Sequence, residues 1–176
     1  LTRQFHNHGY FYFNSDFIQL DADTTLGNRT LNLLVRSKSN LPEAALSKYW
    51  IDSIRVYISR SADSVVFPSE PISYKDLRVY ASGDYLKPAV VSNALHFQSG
   101  DQYTFTSYQN SLTRLNSLGV FSYVKISYET SASDSLRNLL NVRIDLIVAD
   151  HINLNLEADL VMKSTGFIGP GVSAGI

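Results

Sequence analysis

Thr106-Ser107-Tyr108-Gln109 opens, and Leu118-Gly119-Val120-Phe121 closes, the stretch from which the fold is read. The opening reads as a capping box, in which the Thr106 oxygen accepts a first-turn N–H and Gln109 reaches back. Tyr108, Leu112, Leu115 and Leu118 then recur at helical spacing and form one apolar stripe. Gly119 ends the helix, because the left-handed backbone of a terminating residue costs glycine nothing. Alternation takes over at once. Across 120–130, Val124, Ile126 and Tyr128 face one way, and Tyr123, Lys125, Ser127 and Glu129 the other. Across 140–149, Val142, Ile144, Leu146 and Val148 oppose Asn141, Arg143 and Asp145. Both strands therefore carry one greasy and one wet face, as a sheet covered on one side requires.

Upstream, Lys87-Pro88 opens a short helix with proline at its favoured first position, carrying Val91 and Leu95 on one side. Residues 50–59 alternate Ile54, Val56 and Ile58 against Arg55, Tyr57 and Ser59, which predicts a strand. Residues 60–73 have no clear period, 77–81 read as a further short strand, and Ser82-Gly83-Asp84 as a turn. The order strand, helix, helix, strand, strand predicts an α+β unit with both helices on one face of the sheet.

Part of this pattern occurs twice. Phe5-His6-Asn7-His8-Gly9-Tyr10-Phe11 repeats the helix end, glycine and strand start of Leu115-Asn116-Ser117-Leu118-Gly119-Val120-Phe121. A strand over 10–21, a polar turn and a second strand over 29–36 follow the first copy, so Gly9 stands where Gly119 stands in the second. Repetition of this kind points to tandem domains. The first copy is expected to be the latter half of a domain, since some 38 residues are too few to fold without outside help.

Composition bounds the class. The hydrophobic share of 44% and charged share of 18% are those of a globular chain. The net charge is −1, and Lys and Arg are scattered singly, which leaves no electrostatic footprint for nucleic acid. The chain has no cysteine, so thiol and disulfide chemistry is excluded. No run of apolar residues is long enough for a transmembrane helix.

Candidate chemistry is sparse. His6 and His8 flank Asn7 in a metal-like spacing, but no carboxylate or third histidine sits nearby in sequence, and His96 and His151 are isolated. Asp16, Asp21, Asp23 and Asp63 fall in turns, where aspartate caps and solvates. The first three lack the glycine and terminal glutamate of a calcium loop. Asn28-Arg29-Thr30 matches a glycosylation sequon by chance. Gly169-Pro170-Gly171 is not a phosphate loop, since proline removes a needed N–H. The twenty Tyr and Phe residues are read as core rather than as a sugar-stacking platform. No catalytic, cofactor or metal residue is assigned, and the chain is read as a non-enzyme.

The stretch Lys87-Pro88 with Ser99-Gly100-Asp101-Gln102-Tyr103-Thr104, then Ser111-Leu112-Thr113-Arg114-Leu115 and Leu118-Gly119-Val120-Phe121, resembles a POTRA domain of the BamA and TamA outer-membrane assembly family. Bacteroidota TamA-like surface antigens look most similar, because of an insert at about 60–87. The resemblance implies tandem units of β-α-α-β-β order, each a three-stranded mixed sheet with two helices on one face. Residues 1–38 become the C-terminal half of one POTRA domain, 39–48 a linker, 49–150 a complete domain, and 151–176 the start of a β-barrel. It also implies a periplasmic scaffold at the outer membrane that binds unfolded outer-membrane or secreted polypeptides, or accessory lipoprotein subunits, by strand addition. Tyr123, Lys125, Ser127 and Glu129 are the expected client-binding edge, and Gly9, Thr106, Gln109, Gly119 and Phe121 the expected structural positions. The alternatives are the POTRA region of a two-partner secretion transporter, or a stand-alone carbohydrate- or peptide-binding module.

Overall fold

The structure, a computed structural model, describes residues 1–23, 32–61, 66–84, 86–131, 138–149, 155–162 and 168–175. The elements in chain order are α1 (Thr2–Asn7), a 3-10 turn (Ser15–Phe17), β1 (Ile18–Asp23), β2 (Asn32–Ser37) and α2 (Glu43–Leu46). They continue with β3 (Trp50–Ser59), β4 (Ile72–Tyr74), β5 (Leu77–Ala81), α3 (Pro88–Ala94), α4 (Phe105–Ser117), β6 (Phe121–Thr130) and β7 (Leu139–Val148). A last hairpin joins β8 (Asn155–Met162) to β9 (Ile168–Gly175), antiparallel with Asn155 opposite Gly175.

The fold is α+β around one mixed sheet in the order β4-β5-β3-β7-β6. β3 is parallel to both β5 and β7, whereas β4–β5 and β6–β7 are antiparallel. The β-α-α-β-β order is present as β3, α3, α4, β6 and β7. The sheet nevertheless has five strands rather than three, because 60–87 is more than a loop. Leu77 and Val79 are buried in β5, and that burial stabilises pairing beside β3. Ile54, Val56, Ile58, Val142, Ile144 and Leu146 meet Val91 and Ala94 of α3 and Leu115 of α4 in one core, so both helices cover the same face. At roughly 1.5–3 kcal/mol for each fully buried large side chain, that face supplies most of the drive for docking the helices.

The start of α4 differs from expectation. The N-cap is Thr104, whose backbone is extended (φ −138°, ψ 139°) and whose Oγ1 accepts the Ser107 N–H at 3.2 Å. Thr106 and Gln109 lie inside the helix and tie it to α1. Thr106 donates both its N–H and its hydroxyl to Asn7 Oδ1, at 2.9 and 3.0 Å. Gln109 Oε1 accepts from Arg3 Nη2 at 3.1 Å. The box pattern singled out Thr106 because only it has a glutamine three residues on, yet a cap needs only an extended threonine with N–H groups ahead of it. Within α4, Ser111 is fully buried, donating to Ser107 O and accepting the His96 N–H, each at 2.8 Å.

The N-terminal segment also differs in its bounds. Residues 10–17 are turns rather than strand, and β1 begins at Ile18. The aromatic residues there pack instead of alternating: Phe13 is buried and stacks on Phe5 at 4.0 Å, and Phe11 meets Tyr103 edge-on at 4.9 Å. Phe11, Tyr49, Tyr103 and Tyr128 make a seam between this segment and the sheet. Backbone bonds reinforce it: Tyr49 donates its N–H to Gly9 O, and Tyr103 donates its own to Tyr49 O, both at 2.9 Å. β1 and β2 form an antiparallel hairpin in which Leu20, Leu33, Leu34 and Val35 stay exposed.

The seam titrates. Burial first, and then the neighbouring Tyr108, push the Tyr103 phenol up to about 12, and burial raises Tyr128 as well, helped by Tyr103 and Tyr108. A phenol harder to ionise when folded contributes stability that is complete below the unfolded value near 10. That stability is lost as pH rises through the folded value. Tyr103 alone should therefore account for about 2 kcal/mol of the stability lost between pH 10 and 12. Denaturation midpoints across that range check this: Tyr103→Phe should flatten the fall, and an unchanged slope would contradict it.

Candidate partner-binding edge and face

β6 forms the long edge of the sheet. It pairs with β7 along one side, and no strand among the described residues pairs with its other side. The opposite edge, β4, is three residues long, against ten for β6. Gly119, at φ +67°, delivers the chain from α4 into β6, and Phe121 is buried at the strand's start. The register slips between Phe121 and Tyr123, a bulge that adds local twist at the beginning of the edge. From there Tyr123, Lys125, Ser127 and Glu129 stand opposite Ile147, Asp145, Arg143 and Asn141. All four lie on the face away from the helices. Tyr123, Lys125 and Glu129 are exposed, and Ser127 is half-buried with its hydroxyl 3.4 Å from Arg143 O.

That face holds a built cluster which reading the strands one at a time did not reveal. Tyr57 lies flat against Tyr80, ring centres 4.9 Å apart and 9° from parallel. Arg143 covers Tyr57 as well, its guanidinium carbon 4.1 Å from the ring centre, and Phe67 meets Tyr57 edge-on at 5.1 Å. Arg143 is held by Asp145 through Nε to Oδ1 and Oδ2 (3.0 and 3.1 Å) and through Nη2 to Oδ1 (2.9 Å). Those bonds raise the arginine above its ordinary pKa, against the opposing effect of burial. Between Phe67 and Tyr57 on one wall and Tyr123 and Lys125 on the other runs an open cleft of about 410 Å³, floored by Arg143 and Asp145. Each of these residues, Phe67 apart, occupies an outward position of its strand. The period-two pattern marks Tyr57, Tyr123, Lys125, Arg143 and Asp145 as wet, but only cross-strand register brings them together with Tyr80.

No metal site takes shape among the described residues: no group of three or more His, Asp or Glu is close enough to hold an ion. His6 Nε2 lies 2.7 Å from Phe13 O, and His8 Nδ1 2.7 Å from Gln4 O, so backbone carbonyls occupy those nitrogens. Asp21 accepts from Gln19 at 2.8 Å and sits 3.4 Å from Arg36 Nε. Asp63, His151 and the Asn28-Arg29-Thr30 sequon lie outside the described residues. Among the described residues no helix is long and apolar enough to cross a membrane, which says nothing of a β-barrel.

No protein-family model and no curated protein sequence matches the chain. Solved structures do. POTRA domains 1–3 of the periplasmic domain of Omp85 from Anabaena match with a TM-score of 0.46 and 12% identity, covering 85% of this chain and 48% of that one. BamA from Haemophilus ducreyi lacking POTRA domains 1–3 matches at 0.44 and 11%, over 89% of this chain and 23% of that one. POTRA domains 3–5 of Haemophilus influenzae BamA match at 0.33 and 11%, over 82% and 76%. All three structures come from Omp85 or BamA proteins. The chain spans less than half the length of the first of them and about a quarter of the second.

Proposed function

We propose that this chain is a periplasmic POTRA scaffold of an outer-membrane assembly protein, and that it takes up extended polypeptides on the free side of β6. The observation that carries the reading is the asymmetry of the edges: among the described residues β6 is a ten-residue strand with no partner on one side, while the opposite edge strand β4 has three residues. An unpaired edge of that length is a template for strand addition, in which main-chain hydrogen bonds supply affinity and alternate side chains supply register. Such binding reads backbone more than sequence, which suits many unfolded clients or accessory subunits. Lys125 and Glu129 set register and also discourage edge-to-edge pairing between copies. In this reading 1–38 is the latter half of a preceding POTRA domain. The exposed Leu20, Leu33, Leu34 and Val35 support it, because a hairpin with so much apolar surface has a covering layer to gain. The β8–β9 hairpin is read as the entry to a barrel. TamA-like surface antigens are the family members proposed as nearest in role, and no catalysis is assigned.

The chain has no cysteine, so a single introduced thiol reports position cleanly. Tyr123→Cys, Lys125→Cys, Ser127→Cys and Glu129→Cys would each be offered extended peptides of alternating apolar and polar residues, with one cysteine stepped along the peptide. Strand addition predicts disulfide yields that march in register: moving the peptide thiol by about two residues moves the best partner by the same step along β6. Yields without register, or equal to those of a Thr113→Cys control on the exposed side of α4, would sink the reading.

A further inference from the structure

One row of outward residues crosses the whole sheet. Ser73 of β4 stands opposite Arg78 of β5, Arg78 beside Arg55 of β3, Arg55 beside Arg143 of β7, and Arg143 opposite Ser127 of β6. Three arginines therefore occupy neighbouring strands at one register, about 4.8 Å apart from strand to strand. Arg143 is neutralised by Asp145. Arg55 and Arg78 are not: among the described residues neither has an ion-pair partner. Arg55 is moreover half-buried beside Arg143, in a small cavity that Glu129 also lines but without an ion pair among the described residues. Like charges on adjacent strands repel, so a row of three arginines needs anions close by to offset it.

We infer that this row is a docking surface for an acidic polypeptide segment, which supplies carboxylates to Arg55 and Arg78. Charge complementarity names the occupant. A guanidinium fork matches a carboxylate bidentately, and two forks side by side form a recognition element that scattered lysines would not. The rest of the face selects a polypeptide over a uniformly anionic polymer. Asp145 and Glu129 lie on the same face at neighbouring register positions and would repel a chain charged at every unit. The stacked Tyr57 and Tyr80 stand one row away and offer apolar contact. A partner that fits must alternate acidic with aromatic or neutral groups within a few ångströms, as side chains of a polypeptide do. The net charge of −1 on the whole chain makes this row a local feature rather than a consequence of composition. The inference concerns the face and not the β6 edge, so it stands or falls separately from strand addition.

The test measures binding of a fluorescent glutamate–tyrosine copolymer to the full chain at low and moderate salt, with heparin as the sulfated-polysaccharide comparison. The expected result is copolymer binding that weakens with salt and falls at least ~10-fold in the Arg55→Gln/Arg78→Gln double variant, since two charge-assisted contacts are lost. A Lys87→Gln/Arg114→Gln variant makes the same charge change at exposed positions in the helical layer and should bind as the parent does. Circular dichroism shows whether each variant is folded, and the single variants Arg55→Gln and Arg78→Gln stand in if the double is not. Equal losses in the two double variants would reduce the effect to overall charge and overturn the proposal. So would absence of copolymer binding at low salt, or tighter binding of heparin than of the copolymer.

Discussion

Replacing Gly9 with alanine is expected to destabilise the fold by about 3 kcal/mol, roughly twice the effect of Gly119→Ala, since it adds a steric displacement to the cost of a left-handed backbone. Both glycines have positive φ, +92° and +67°. At that angle an L-residue pays about 1–2 kcal/mol whatever surrounds it. They differ in what a new Cβ would meet. At Gly119 nothing lies within 4 Å, whereas at Gly9 the Cβ would fall on the Gln102 side chain. Gln102 cannot step aside freely, because its Nε2 donates to His8 O at 2.9 Å and its neighbour Tyr103 is fixed in the aromatic seam. The Gly9 carbonyl also accepts from Tyr49, so displacement there loosens the join between the N-terminal segment and the sheet. Urea denaturation of the two alanine variants, followed by the fluorescence of the single tryptophan, checks the ratio. Equal losses would mean that Gln102 yields at no cost.

Leu115→Ala should cost about 3 kcal/mol, within the 2–5 kcal/mol range of buried leucine truncations. Leu115 is fully buried where α4 crosses the sheet, among side chains of β3, β6 and β7, so the space it leaves is walled by rigid elements that cannot collapse into it. Its neighbour Thr113 is exposed on the same helix, and Thr113→Ala should change stability by less than about 0.5 kcal/mol. Because α4 runs into β6 through Gly119, the Leu115 variant should also lower protection of β6 amides in hydrogen exchange. A loss confined to α4 would show that the edge strand is held by β7 alone.

Legibility varied with the range of the interaction involved. The helical stripe of α4, the inward sides of β3, β6 and β7, and the order of these elements are local patterns, and they could be read directly. The capping residue was misplaced by two positions, because several side chains near a helix start can satisfy its N–H groups and only the chain's path chooses among them. Residues 10–17 carry strand-like aromatic content but pack as turns, since Phe11 and Phe13 gain more from Tyr103 and Phe5 than from a ladder. Residues 77–81 read as a strand from their own pattern, but their pairing beside β3 and the three-residue β4 that follows from it depend on tertiary contacts.

By itself, the sequence determined which side of each strand is wet and which is greasy, because that depends on a period of two along one segment. It determined equally that Gly9 and Gly119 follow helices, a matter of local backbone sterics. Only the tertiary structure decided which wet residues become neighbours. The row of Ser73, Arg78, Arg55, Arg143 and Ser127 exists because β5 and β7 both lie parallel to β3 in register. Register is set by packing of the opposite face against α3 and α4, and no segment read alone carries that information.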